Sequence, residues 1–194
     1  MKDLAALVAL NPVLFMACRS ILENGFRQVR RAIQAELRAD ATTLDLGCGT
    51  GAFADLFTGE YTGIDLNGRY IEYASAHRRG TFLNRDATAI GEVGPFAQVL
   101  IFGLLHHLTD AQAHAVLDEA RRVLISTGVV LAIEDIPTVS RANLLGHLLH
   151  RADGGSFIRA NADYTRLYQA HFRLERDWTF RSGICDYSAC VLRP

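Results

Sequence analysis

The residues able to do chemistry gather in four short stretches. In "LDLGCGTG" the acid Asp45 stands two positions ahead of Gly47, Gly49 and Gly51, with Cys48 between the first two glycines. "GIDLN" supplies Asp65, twenty residues after Asp45, and then Leu66; "RDAT" supplies Asp86 and Ala87. "GLLHHLTD", preceded by Phe102, supplies Gly103, Leu104 and the pair His106 and His107.

Bare backbone at a bend lets a ligand lie directly on the chain and permits angles closed to other residues. A loop that follows a strand and opens a helix aims its N–H groups and the helix terminus into the crevice at the carboxyl end of a sheet. Asp65, at the end of a second strand, can accept hydrogen bonds from both hydroxyls of an adenosine ribose. Asp86, at the end of a third, is positioned for an exocyclic amine. A dinucleotide fingerprint reads G-x-G-x-x-G, whereas the sixth position here is Ala52. Asp45 ahead of the loop would also repel a pyrophosphate and suits an ammonium group better. An imidazole of ordinary pKa ~6.5 can take a proton from a phenol or acid near neutrality. That nominates His106 and His107 as bases, with His106 first for its nearness to the strand end.

These groups need elements to hold them. Asn11-Pro12 reads as an N-cap and first helical position. Leu14, Cys18, Leu22, Phe26, Val29, Ile33 and Leu37 then recur at steps of three and four, the stripe of one long amphipathic helix. Arg27, Arg30 and Arg31 form a solvated face of it, unless the helix caps the crevice and brings one of them to the cofactor. Strands are expected at 43–46, 61–65, 81–84, 97–102 and 128–133, with helices at 52–58, 68–79 and 110–124. Thr109-Asp110-Ala111-Gln112 fits a capping box for the last helix. Val129 to Ile133 is apolar on both faces, as a parallel strand covered on both sides must be. The alternation implies a doubly wound α/β sheet. Leu174, Trp178 and Phe180, a Ser182-Gly183 turn and a strand to Leu192 add an antiparallel hairpin. Glu134-Asp135 either lines the pocket or caps the loop that follows it.

"LDLGCGTG", "GIDLN", "RDAT" and "GLLHHLTD" together resemble the class I S-adenosylmethionine-dependent methyltransferases over about residues 40–135. The resemblance implies a Rossmann-like, mostly parallel seven-stranded sheet in the order 3-2-1-4-5-7-6, strand 7 antiparallel. It implies that Asp45 and the Gly47–Gly51 loop, Cys48 included, hold the methionine moiety of the cofactor. Asp65 would bind its ribose with Leu66 on the adenine, Asp86 the adenine amine with Ala87 alongside. Phe102, Gly103 and Leu104 would line the crevice near the sulfonium.

The expected organisation is one methyltransferase domain over residues 1–194. N-terminal cap helices run over 1–40, the cofactor-binding core over 41–136, a lid or substrate segment over 137–160, and a helix and hairpin over 161–194. His147 and Arg159, in or just after the lid, are candidate substrate residues. The expected reaction is methyl transfer to a small-molecule acceptor, oxygen, nitrogen or carbon, giving S-adenosylhomocysteine. Competing readings are a non-methylating cyclisation or rearrangement, a non-catalytic partner subunit, and a nicotinamide-dependent oxidoreductase.

Isolated prolines and the lack of a [DN]-P-P-[YFW] string disfavour amino-methylation of adenine or a glutamine amide. A net charge of −1 argues against a polyanion partner. No apolar run approaches the ~20 residues that span a bilayer. Four scattered cysteines without CxxC spacing read as reduced thiols and offer no metal site. Arginine and alanine abound while Lys2 is the only lysine. Together these features give an expectation of a cytoplasmic, bacterial protein whose oligomeric state stays open.

Overall fold

The computed structural model describes residues 11–138 and 157–194. Seven strands make one sheet, in the order β3-β2-β1-β4-β5-β7-β6. They are β1 (Thr43–Leu46), β2 (Tyr61–Asp65), β3 (Thr81–Asn84), β4 (Phe96–Phe102), β5 (Leu124–Asp135), β6 (Arg173–Ser182) and β7 (Cys185–Arg193). β1 to β5 pair in parallel; β7 runs antiparallel to β5, and β6 to β7. The chain order reverses between β1 and β4, and such a switch point opens a crevice at the carboxyl ends of the strands. The expected topology is therefore present, with β5 longer at both ends than 128–133.

Helices α1 (Pro12–Leu22), α2 (Arg27–Glu36), α3 (Gly68–His77), α4 (Asp110–Val123) and α5 (Asn161–Gln169) cover the sheet. Asn11 caps α1 by accepting from the Val13 and Leu14 amides, and Thr109 with Gln112 closes the capping box of α4. Alternate residues of β5 feed opposite cores. Val130 and Ala132 pack with Val116, Leu117, Tyr164 and Tyr168 of α4 and α5. Leu131 and Ile133 pack with Val29 and Ile33 of α2 and with Phe53 and Phe57. Cys185 and Cys190 fall in opposite cores and remain free thiols.

Two expected helices are corrected. The single long helix is two, broken at Asn24-Gly25-Phe26, where φ is +51°, +68° and +57°. Asn and Gly tolerate this left-handed region; a Phe there is strained by about 1 kcal/mol. The Phe26 ring gains compensating contacts edge-on to Phe53 and Phe102. The helix expected over 52–58 is one 3₁₀ turn, Ala54–Leu56. The amides of Thr58 and Gly59 bond the Ala39 carbonyl, pulling the chain straight into β2 and leaving no length for further turns.

The lid expected over 137–160, with His147, falls largely outside the described residues. Of its visible end, the Phe157 amide donates to the His106 carbonyl, 3.1 Å.

Candidate functional site

The loop after β1 carries positive φ at Gly47, Gly49 and Gly51 (+75°, +54° and +67°). Four of its amides are engaged within the fold. Gly47 and Cys48 donate to the Ile64 carbonyl (2.8 and 3.0 Å), Gly49 to Asp65 Oδ2 (2.8 Å), and Gly51 to the Cys48 carbonyl (2.9 Å). No α-helix follows to lend a terminal dipole. The glycines differ in what replaces their side chains. A Cβ at Gly47 would meet Leu104 at 3.0 Å and one at Gly51 would meet Phe82 at 2.9 Å, while at Gly49 the nearest atom is Tyr70 at 4.0 Å. Only Gly49 opens onto free space. The Cys48 thiol packs under β2 against Gly63, and burial pushes its pKa far up, so only its backbone faces the crevice.

The three acids occupy different settings. Asp45 is buried and accepts the Tyr61 hydroxyl at 2.5 Å. Desolvation raises its pKa to about 7, outweighing that hydrogen bond. Half-buried Asp65 accepts from Gly49 through one oxygen and from the Asn67 amide, 2.8 Å, through the other. Burial raises its pKa too. A carboxylate has about four lone-pair sites, so Asp65 keeps capacity for a ligand. Asp86 is exposed; its Oδ1 accepts from both the amide and the hydroxyl of Thr88 at 2.8 Å. Leu66 is 72% exposed beside Asp65, and Asn84 holds its carbonyl at 2.8 Å. Ala87 is buried beneath this edge.

The loop after β4 is fastened by one carboxylate. Glu134, fully buried at the end of β5, accepts from the amides of Leu104 (3.0 Å), Leu105 (2.7 Å) and His106 (3.3 Å). His106 Nδ1 lies 2.9 Å from the same group, and Nε2 lies 3.8 Å from Asp135 Oδ2. His106 is buried and His107 exposed, their rings 4.0 Å apart. Gly103 takes φ +62°, and Phe102 is half-buried beside it. Glu134 was expected either to line the pocket or to cap the loop that follows it; it caps the loop after the neighbouring strand. Gly103 bonds the Ile133 carbonyl, and that parallel register sets Glu134 against the next amides.

Aromatic rings from the loop after β1, from β4 and from β7 pack behind the crevice, Phe53 and Tyr187 buried and Phe102 half-buried. Phe102 meets Phe53 edge-on at 5.0 Å and Tyr187 at 5.6 Å. Behind it, Glu23 accepts the Tyr187 hydroxyl and pairs with Arg19, each at 2.5 Å. Burial raises the Glu23 pKa to about 7 against the pull of Arg19 and Tyr187. The hairpin locks this corner: Ser182 donates to the Glu23 carbonyl and the Ile184 amide to the Leu22 carbonyl. Arg19 and Glu23 lie 168 and 164 positions from Tyr187, so no local spacing announces the three together.

Arg159, a candidate substrate residue, is engaged by the loop after β4. Its guanidinium donates to the carbonyls of Leu105 and Leu108 (both 2.8 Å) and to Asp110 (2.7 Å), which spends it on shaping the loop. Arg30 likewise pairs with Asp55 and the Ala52 carbonyl, so it braces the segment after the glycines. Two surface hollows, around Asp118 and His171 and between α2 and β6, lie away from this crevice. Among the described residues no cluster of three or more His, Cys, Asp or Glu is arranged to hold a metal, and no helix is long and apolar enough to cross a membrane.

Residues 43–128 match the model of a family described as a methyltransferase domain. The fold is similar to the PH0226 protein of Pyrococcus horikoshii OT3, at 18% identity and TM-score 0.68, covering 88% of this chain and 91% of that one. It is equally similar to magnesium protoporphyrin IX methyltransferase of Synechocystis PCC 6803 with bound S-adenosylhomocysteine (17%, TM-score 0.68, 89% and 85%). Human N-acetylserotonin methyltransferase in complex with S-adenosylmethionine matches at 18% and TM-score 0.68, over 96% of this chain and 57% of that one. A search of curated proteins found no match to the sequence. The resemblance drawn from the glycine motif holds for the family match and for the fold.

Proposed function

We propose that this chain, whose residues 43–128 match a methyltransferase-domain model and whose fold is that of the class I S-adenosylmethionine-dependent enzymes, transfers the methyl group of S-adenosylmethionine to a small molecule. One observation carries the cofactor reading. The glycine loop offers the crevice an open surface at Gly49, edged by Asp65, while the amides of Gly47, Cys48, Gly49 and Gly51 are all used internally. A pyrophosphate needs free amide donors; the ammonium of an amino-acid tail and the hydroxyls of a ribose need acceptors. Structures with the same fold hold S-adenosylmethionine or S-adenosylhomocysteine, which supports the same choice.

In this reading Gly49 and its neighbours seat the methionine end, and Asp65 uses its remaining lone pairs on the ribose. Asp45, buried on Tyr61, acts through the loop's charge rather than by contact. Exposed Leu66 covers the adenine, with Asp86 and Ala87 at its edge. Phe102, Gly103 and Leu104 face the sulfonium. When bound, the cofactor supplies an electrophilic methyl, so the chain's task is to orient the acceptor in line and exclude water. The half-buried Phe102 ring, backed by buried Phe53 and Tyr187, suits an apolar or aromatic acceptor. The acceptors named for two similar folds, a magnesium protoporphyrin and N-acetylserotonin, are small molecules. Residues 1–40 would cap the crevice and residues 137–160 would choose the acceptor.

The test is a panel of phenols, amines and carboxylic acids incubated with protein and S-adenosylmethionine and scored by mass. A gain of one methyl with stoichiometric S-adenosylhomocysteine is expected for at least one acceptor. Tight cofactor binding without any methylated product would move the assignment to a non-methylating use of the same site.

A further inference from the structure

The sheet ends differently at its two edges. β3 has four residues, and an edge strand that short offers little to pair with. β6 has ten. It pairs with β7 on one side, and among the described residues no backbone hydrogen bond reaches its outer side. A bulge interrupts the pairing between Leu174 and Arg176; from there Arg176–Ser182 runs unbroken beside β7 to the turn at Gly183. Such a run leaves a row of N–H and C=O groups that can template another strand.

Edges are commonly guarded by charge, because like charges set directly opposite repel. Here the charges do the reverse when the strand meets itself. Thr179 is the midpoint of Arg176–Ser182. About a two-fold axis through Thr179, antiparallel strands set residues equidistant from it opposite each other. Exposed Asp177 then faces the partner's Arg181, also exposed, and the same pair recurs on the other side of the axis. On the α2 side of the sheet, half-buried Trp178 faces the partner's Phe180. Axes at Arg176 or Asp177 would instead put a charge against its own copy. Within each chain Asp177 accepts from Asn161 at 3.3 Å and Arg181 pairs with Asp186 at 2.8 Å. That leaves lone pairs on the carboxylate and donors on the guanidinium for a partner.

The α2 side adds a seat. α2 and β6 border a hollow of about 420 Å³ whose lining includes Ala32, Ala35, Trp178 and Phe180. Ala35 is exposed and Ala32 half-buried, so the helix leaves room beside the rings. Arg176 lies over the Trp178 ring at 4.9 Å and pairs with Glu36 of α2, which holds the indole at the edge.

We propose that β6 joins two copies of this chain, antiparallel about Thr179, into one continuous sheet. A strand pair alone is marginal in water; the rings entering both hollows bury the apolar surface that a lasting dimer needs. Phe180 stacks on Tyr187 at 5.5 Å, and Tyr187 lies 5.6 Å from Phe102, so the interface stands two rings from the crevice. Dimerisation of this kind needs neither cofactor nor acceptor.

The test is sedimentation equilibrium of the full chain from about 1 to about 100 µM. The wild type should reach twice the chain mass at the upper end. Asp177→Arg and Arg181→Asp each set like charges opposite twice per dimer and should raise the dissociation constant at least about tenfold. Mixed in equal amounts, the two variants should associate again, since each charge then meets its opposite. Where a reversal fails to fold by circular dichroism, Thr179→Cys reads the same axis. Its two thiols would lie within disulfide reach and oxidise to a covalent dimer, whereas those of Glu175→Cys should not. A wild-type chain that is monomeric at about 100 µM overturns the proposal and leaves the edge to a different partner. A dimer that both reversals leave intact, or that Thr179→Cys fails to cross-link, has its contact elsewhere and overturns it equally.

Discussion

The two loops beside the switch point are fastened by the same device and put to different use. The loop after β1 is tied by Asp65, from the end of β2, and the loop after β4 by Glu134, from the end of β5. In each case a carboxylate on the neighbouring strand collects amides that a turning chain would otherwise leave bare. Asp65 makes two such bonds and stays half-exposed; Glu134 makes three, adds an imidazole and is sealed from solvent. The first acid can therefore serve a ligand as well as the fold. The second has nothing left to offer a ligand and acts only through the backbone it holds.

That contrast breaks most visibly at Glu134. Glu134→Ala strands three amide donors and a ring in a dry interior, a loss of about 3–5 kcal/mol. Urea unfolding should register it, and a change under about 1 kcal/mol would mean the loop is held by something else. Asp65→Ala should cost far less stability yet weaken S-adenosylmethionine binding by at least about 1 kcal/mol through lost ribose hydrogen bonds. Unchanged affinity in calorimetry would place the ribose elsewhere.

The buried acids supply the next largest effect, through pH. Desolvation raises Asp45 to about 7 in the folded chain, against about 3.8 for the free group. Below pH ~4 both states are protonated; between ~4 and ~7 only the unfolded chain has ionised there. Stability from this group is thus complete in acid and is lost as pH rises through 7, by as much as about 4 kcal/mol. Glu23, raised to about 7, adds a loss of the same sign. Asp45→Asn keeps an acceptor for Tyr61 and should flatten the slope of unfolding free energy between pH 5 and 8; an unaltered slope would show that Asp45 is ionised throughout.

A smaller effect separates the glycines. Gly47→Ala drives a Cβ onto Leu104 at a positive φ and should lower stability by about 1–2 kcal/mol. Gly49→Ala carries a similar backbone penalty without the clash, so its stability loss is the lesser, while its methyl intrudes where the cofactor would rest. Equal cofactor affinity in the two variants would erase the distinction between a packed glycine and an open one.

How much of this was legible follows the same divide. The β1 loop, the strand-end acids and the sheet order are written in contiguous motifs, because bare backbone and apolar runs leave local traces. The capping box at Thr109 and the cap at Asn11 are local too. What was misread depends on distant partners. Asn24-Gly25-Phe26 keeps helical spacing, and only the Phe53 and Phe102 rings make its left-handed turn worthwhile. Arg159 looks free in sequence because the carbonyls that occupy it lie about 50 positions away. The two carboxylates at the edges of His106 come from β5 and leave no trace beside it in sequence. The amides of the glycine loop looked available because the Ile64 carbonyl and Asp65 come from another strand.

The central claim is that the crevice beside Gly49 and Asp65 takes a nucleoside with an amino-acid tail. Titration calorimetry of the full chain with S-adenosylmethionine, S-adenosylhomocysteine and NAD tests it directly. Micromolar binding of the first two, weakened for both by Asp65→Ala and by Gly49→Ala, and no heat with NAD is the predicted outcome. Binding of NAD with neither sulfur compound bound would contradict it.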